Sequence, residues 1–252
     1  MSATADQSNA QATTPSRPPA GEATVASAAL SEAVGQFPKY VAFLRNRASV
    51  GFRGRILELG AGVAWFTAEL SKLPKVVEVI STDFARSPLA EQAALVFKTL
   101  HAQQAKITRR QISAQRLDFP DQHFDFVVCN AVLHEAMNLP QLLREARRVL
   151  KPGGQLIAVR EPVKPVVPWR AGRETGARRD ARRLKEPLYS RADYLDLFDR
   201  AGFSVKVHRV SLASGLKYYF DTMVNGLTQA PYVFVATRKE RASPSRLKKL
   251  AA

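Results

Sequence analysis

The stretch 56–66, ILELGAGVAWF, is an apolar run that meets an acid, two glycines one residue apart, and then a second apolar pattern. A strand that stops on glycine and turns directly into a helix leaves backbone N–H groups pointing outward, where a small anionic or polar molecule can be held. Proton transfer needs other residue types, and the chain offers them farther on. His134 and Glu135 stand in CNAVLHEA, and Glu161 closes QLIAVRE. A histidine with an unperturbed pKa near ~6.5 can take a proton at neutral pH, so His134 is the first candidate base and Glu161 the second. The competing reading makes His134 a hydrogen-bonded loop residue and Glu161 the ion-pair partner of a nearby arginine. His101, His123, His134 and His208 fall in separate segments and Cys129 is the single cysteine, so no metal-ligand spacing occurs and no metal site is expected.

The elements that must position these side chains alternate from Arg55 onward. RILELG is a short apolar run ending on Gly60, and residues 63–73 carry apolar side chains at helical spacing until Pro74. VVEVISTD (76–83) is rich in β-branched residues, a helical pattern follows through 88–101, and a third strand is expected near 107–112. FDFVVCN (124–130) is apolar on both faces, as a central strand covered on each side must be, with Cys129 as a small core residue. The best-marked helix comes next: Asn138 caps it, Pro140 suits its first turn, Leu142, Leu143, Ala146, Val149 and Leu150 form its stripe, and KPGG (151–154) ends it. QLIAVRE then gives a fifth strand.

Beyond Glu161 the alternation breaks. Residues 162–185 form a proline- and arginine-rich insert that reads as a lid or binding loop. Ser190 and Asp193 make a capping-box pattern for a helix through Tyr194, Leu197 and Phe198, which Gly202 closes. FSVKVHRV and YVFVATR are the last two strands. The pattern predicts one α/β domain over 28–238: an open, doubly wound, Rossmann-like, mostly parallel sheet of seven strands with an antiparallel edge hairpin. Its ligand site lies beyond the carboxyl ends of the strands. Residues 1–27, rich in Ala, Ser, Thr and Pro, are expected to be a disordered tail, and 239–252 a basic one.

Spacing separates two cofactor classes that use a glycine turn. Trp65 occupies the third-glycine position of a dinucleotide G-x-G-x-x-G, which argues against NAD or FAD. Glu58, Gly60, Gly62 and Ala64 instead resemble motif I, E-x-G-x-G-x-G, of the class I S-adenosylmethionine-dependent methyltransferases. SAQRLDFPDQHFDFVVCNAVLHEA and LLREARRVLKPGGQLIAV are similar to the small-molecule (type 11) subgroup that includes the ubiquinone and menaquinone methyltransferases. The resemblance covers residues 40–161 and implies S-adenosylmethionine as the cofactor.

It also implies roles. Glu58, Gly60, Ala61 and Gly62 fall at the methionine end of the cofactor, with Asn130 after the fourth strand. Asp83, followed by Phe84, stands 23 residues after Gly60, where the family places the acid that accepts both ribose hydroxyls. Ser113 and Ala114 fall at the adenine, with Ser113 in place of the usual acid; a neutral acceptor is weaker, so cofactor affinity is expected to be modest or another residue takes the role. Ala64 replaces the last glycine, on the reading that this position needs clearance rather than a positive φ. Methyl transfer to a hydroxyl or acidic carbon needs a base, the part offered by His134 or Glu161.

A formal net charge of +16 points to an anionic partner, or else to a solvated basic surface. Local surpluses lie in 164–185 and in RKERASPSRLKK from Arg238. Arginines of the insert could grip phosphate or carboxylate on an acceptor. No stretch of ~18 apolar residues occurs and no apolar leader follows a basic start, so a cytoplasmic protein is expected, with peripheral contact to a phospholipid surface still compatible. Three readings follow. The first is a methyltransferase acting on a small, anionic acceptor, a sugar or glycan precursor; REP after the fifth strand and EPLYSRADYLDLFDRAGF look like segments of polysaccharide-locus methyltransferases. The second is a nucleic-acid methyltransferase using the basic insert. Against it, the fourth strand ends CNAVLHEA instead of the Asn/Asp-Pro-Pro-aromatic element of base amino methyltransferases. The third is a non-catalytic binding protein on the same scaffold.

Overall fold

The computed structural model of the chain describes residues 38–83, 88–164, 189–210 and 231–240. A helix over 38–46 (α1) precedes β1 (Gly54–Leu59), α2 (Trp65–Ser71), β2 (Val76–Asp83), α3 (Pro88–Thr99), β3 (Ile107–Gln111) and β4 (Phe124–Asn130). There follow a short 3-10 turn (Leu133–Glu135), α4 (Leu139–Val149), β5 (Leu150–Pro162), α5 (Arg191–Arg200), β6 (Phe203–Arg209) and β7 (Pro231–Arg238). The seven strands form one sheet in the order β3-β2-β1-β4-β5-β7-β6. All pairings from β3 through β5 are parallel, while β7 runs antiparallel to both β5 and β6. The expected terminal hairpin is present, but its second strand is the inner one, so β6 and not β7 is the edge.

Burial explains the layers. Phe124, Phe126, Val127, Val128 and Cys129 of β4 are all buried, as a strand sandwiched by helices requires. One face of the sheet packs on α4 and α5 through Leu142, Leu143, Ala146, Tyr194 and Phe198, the other on α1 and α2 through Tyr40, Leu44, Phe66 and Leu70. Each such side chain contributes about 1.5–3 kcal/mol by leaving water. Both sequence-marked caps form: Asn138 accepts the Gln141 N–H at 3.0 Å with Pro140 in the first turn of α4, and Ser190 and Asp193 close a full capping box on α5. Among the described residues no helix is long and apolar enough to cross a membrane. Residues 165–185 of the expected insert and the tail segments 1–27 and 241–252 lie outside the described residues.

Strand order reverses direction between β1 and β4. A crevice therefore opens beyond their carboxyl ends, the place where doubly wound sheets bind ligands.

Candidate active site

The crevice is floored by the glycine turn after β1. Gly60 has φ +61, and a Cβ there would lie 2.7 Å from Cγ2 of Val132 on the loop after β4, so only glycine fits. The Ala61 N–H donates to Thr82 O at 2.9 Å, and the Gly62 N–H donates to Oδ2 of Asp83 at 2.9 Å. The turn is thus tied to the end of β2 by one backbone and one carboxylate acceptor. Ala64 stands at the N-cap of α2 with φ 59 and ψ 32. This corrects the expectation that its position needs clearance alone: the backbone is left-handed, and the methyl adds strain of about 1–2 kcal/mol where the family has glycine.

A pocket of about 400 Å³ opens over this turn, lined by Gly60, Asp83, Ser113 and Ala114. Ile112, Gln115, Val132, Glu135, Ala136, Met137 and Leu142 complete the described wall. Of these seven only Glu135 was singled out in the sequence for its chemistry; for the others the sole sequence signal is that Gln115 follows Ser113 and Ala114 directly. Phe84 lies outside the described residues.

Two predicted residues sit deeper. Glu58 is fully buried, and its Oε2 accepts the Thr67 hydroxyl from α2. Burial pushes its pKa up to about 8, with a smaller push from Asp83, against the hydrogen bonds from Thr67. Oε1 of Glu58 and Oδ1 of Asn130 are both buried acceptors without a partner. Glu58 pairs with Val128 in the parallel ladder, so Asn130 lies one repeat on along the same face. Two orphaned acceptors at the switch point suit a ligand that brings N–H donors.

The two candidate bases come together. Oε1 of Glu161 accepts the N–H groups of Val132 and Leu133 at 2.9 and 3.0 Å; Oε2 accepts the His134 N–H at 3.3 Å and lies 3.1 Å from His134 Nδ1. Glu161 is wholly buried, and these contacts replace the arginine partner of the competing sequence reading. His134 Nε2 is 3.6 Å from Oε1 of Glu135, which itself lines the pocket. Among the described residues no group of three His, Cys, Asp or Glu side chains could hold a metal.

Arg148 on α4 fixes the pocket's outer wall. Its guanidinium gives five hydrogen bonds of 2.7–2.9 Å: two to Glu145, one to Asp121, and one each to the carbonyls of Leu117 and Phe119. Glu145 in turn accepts the Leu117 N–H at 2.9 Å. The loop descending from Ser113 is held against α4 by this fork.

Residues 57–158 match the family model described as a methyltransferase domain. This segment is similar to the class I methyltransferase domains of the type 11 group. The domain is 32% identical over 108 residues to a demethylmenaquinone methyltransferase of Deinococcus radiodurans, covering 43% of each chain. The match thus covers less than half the length of that relative. Among solved structures, the [4+2]-cyclase SpnF superposes with a TM-score of 0.59 at 18% identity, covering 81% of both chains. A Haemonchus contortus N-methyltransferase, solved with phosphomonomethylethanolamine and S-adenosylhomocysteine, gives 0.57 at 15% identity over 80% of this chain and 52% of that one. These similarities establish the methyltransferase Rossmann-like fold, and the family implies S-adenosylmethionine as cofactor.

Proposed function

We propose that this chain transfers a methyl group from S-adenosylmethionine to a hydroxyl of a small acceptor, a sugar or glycan precursor, with His134 as the base. The observation that carries the reading is the His134–Glu161 pair at 3.1 Å in the turn that also walls the pocket. Glu161 cannot itself reach out as a base, because both its oxygens are engaged by the 132–134 turn. It positions the ring instead: with Nδ1–H given to Glu161, Nε2 is left bare to accept the acceptor's proton.

The residues present suit the cofactor. Glu58 and Asn130 offer orphaned acceptors for an ammonium, Asp83 offers acceptor oxygens for a vicinal diol, and Ser113, Ala114 and Gln115 line the adenine end. When bound, S-adenosylmethionine supplies a methyl group already activated by its sulfonium. What remains for the protein is to align the acceptor hydroxyl and take its proton onto His134.

A structural relative solved with a phosphate-bearing small molecule supports a small anionic acceptor here. Because the same fold also carries a [4+2]-cyclase, methyl transfer needs direct assay. Labelled S-adenosylmethionine incubated with the protein and fractionated sugar phosphates and glycan precursors should label one fraction. Transfer should be lost in His134→Gln while S-adenosylhomocysteine still binds. Absence of label in every fraction, with the cofactor bound, overturns the proposal.

A further inference from the structure

A second cavity, about 500 Å³, lies two strands away at the open edge of the sheet. Its described lining is Phe43 on α1, Arg47 just after it, Arg191 on α5, Val207, His208 and Arg209 on β6, and Tyr232 on β7. Among the described lining residues are three arginines and no carboxylate. Arg191 occupies the first turn of α5, where a cation opposes the helix dipole; a local rule broken at a cavity wall is a sign of use. His208 presses its ring edge-on to Phe43, with centroids 6.1 Å apart, and its Nε2 is buried without a hydrogen-bond partner.

The register places this cavity relative to the base. Glu161 pairs with Tyr232 across β5 and β7, and Tyr232 pairs with Arg209 across β7 and β6. The three residues form one row across the sheet and, being in register, project from the same face. Two strand spacings separate the ends of the row, about 10 Å from the Glu161 backbone to that of Arg209.

We propose that Arg191 and Arg209, on the face of the sheet that carries Tyr232, form an anion site for a phosphoryl group on the methyl acceptor. Guanidinium forks match phosphate oxygens bidentately. The inference rests on the methyltransferase reading for its acceptor, but the site itself is a property of the apo protein. It places the anion grip on residues at the sheet edge.

The test is a calorimetric titration of the full chain with pyrophosphate at about 150 mM salt, where long-range attraction is largely screened. Variants are Arg191→Gln/Arg209→Gln and, as a control outside the cavity, Arg144→Gln, whose guanidinium pairs with Gln141 on the exposed side of α4. One saturable site is expected, weakened about tenfold or more in the double variant and unchanged in the control. S-adenosylhomocysteine binding should be the same in all three proteins. No saturation at millimolar pyrophosphate, or an equal loss in Arg144→Gln, overturns the site. An RNA oligonucleotide bound through the same two arginines far more tightly than pyrophosphate overturns the small acceptor. Failure of S-adenosylhomocysteine to bind would strike the cofactor reading and leave the pyrophosphate result standing.

Discussion

Oδ2 of Asp83 accepts the Gly62 N–H at 2.9 Å, so the acid that ends β2 clamps the turn that ends β1. One carboxylate thereby serves two tasks, holding the glycine turn in shape and lining the pocket. Asp83→Asn keeps an oxygen for the turn but loses the charge. Its affinity for S-adenosylhomocysteine is expected to fall about tenfold, a charge-assisted hydrogen bond being worth roughly 1.5–3 kcal/mol. Calorimetry reads the difference, and an unchanged affinity would remove Asp83 from the cofactor site.

Gly60→Ala should cost more than backbone strain. Its Cβ would meet Val132 at 2.7 Å, pushing the loop after β4 away from the turn after β1. We expect a loss of S-adenosylhomocysteine affinity that Val132→Ala partly restores in the double variant. Additive losses would show that the two loops do not share this contact.

Glu58 sets a pH dependence. Its pKa is about 8 when folded against an ordinary 4.5, so between these values the folded state keeps a proton that the unfolded state has released. Stability of the apo protein should fall as pH rises from about 4.5 to 8 and level off above. The contribution is on the order of 5 kcal/mol across the window. In Glu58→Gln that slope disappears, so the variant's melting temperature gains on the wild type as pH rises. Parallel melting curves from pH 5 to 8.5 would refute the assignment.

Arg148→Lys replaces a fork that spends five donors with an ammonium that has three. Denaturant unfolding should show a loss of about 2 kcal/mol, since two or more hydrogen bonds go unmade. Cofactor affinity should fall with it, because the loop running from Ser113 and Ala114 down to Phe119 loses its anchor.

His134→Gln should lower turnover about 10²–10⁴-fold, the usual worth of a general base, while leaving S-adenosylhomocysteine affinity close to that of the wild type. A fall in affinity with unchanged turnover would make His134 a structural residue.

Much of this was written in the sequence, and the exceptions have physical causes. β2 and β4 run over the residues that β-branched and two-faced apolar patterns mark, and both helix caps form where Asn138 and Ser190 stand. Periodicity reports which face is buried but not which neighbour a strand takes, so β7's place inside β6 was not legible. The Ala64 backbone is left-handed although the residue is not glycine, because the turn is fixed from Asp83 and Thr82. Glu161 and Arg148 were underread for one reason. Their partners are backbone groups of loops 27 to 31 residues away, and no local spacing encodes that return.

The most direct test is a calorimetric titration with S-adenosylhomocysteine of the wild type and Asp83→Ala, with NADH as the control ligand. One-site binding to the wild type, weakened at least about tenfold in Asp83→Ala and absent for NADH, is the predicted result. No binding to the wild type at millimolar ligand, or equal binding to both proteins, would contradict the assignment of this crevice to S-adenosylmethionine.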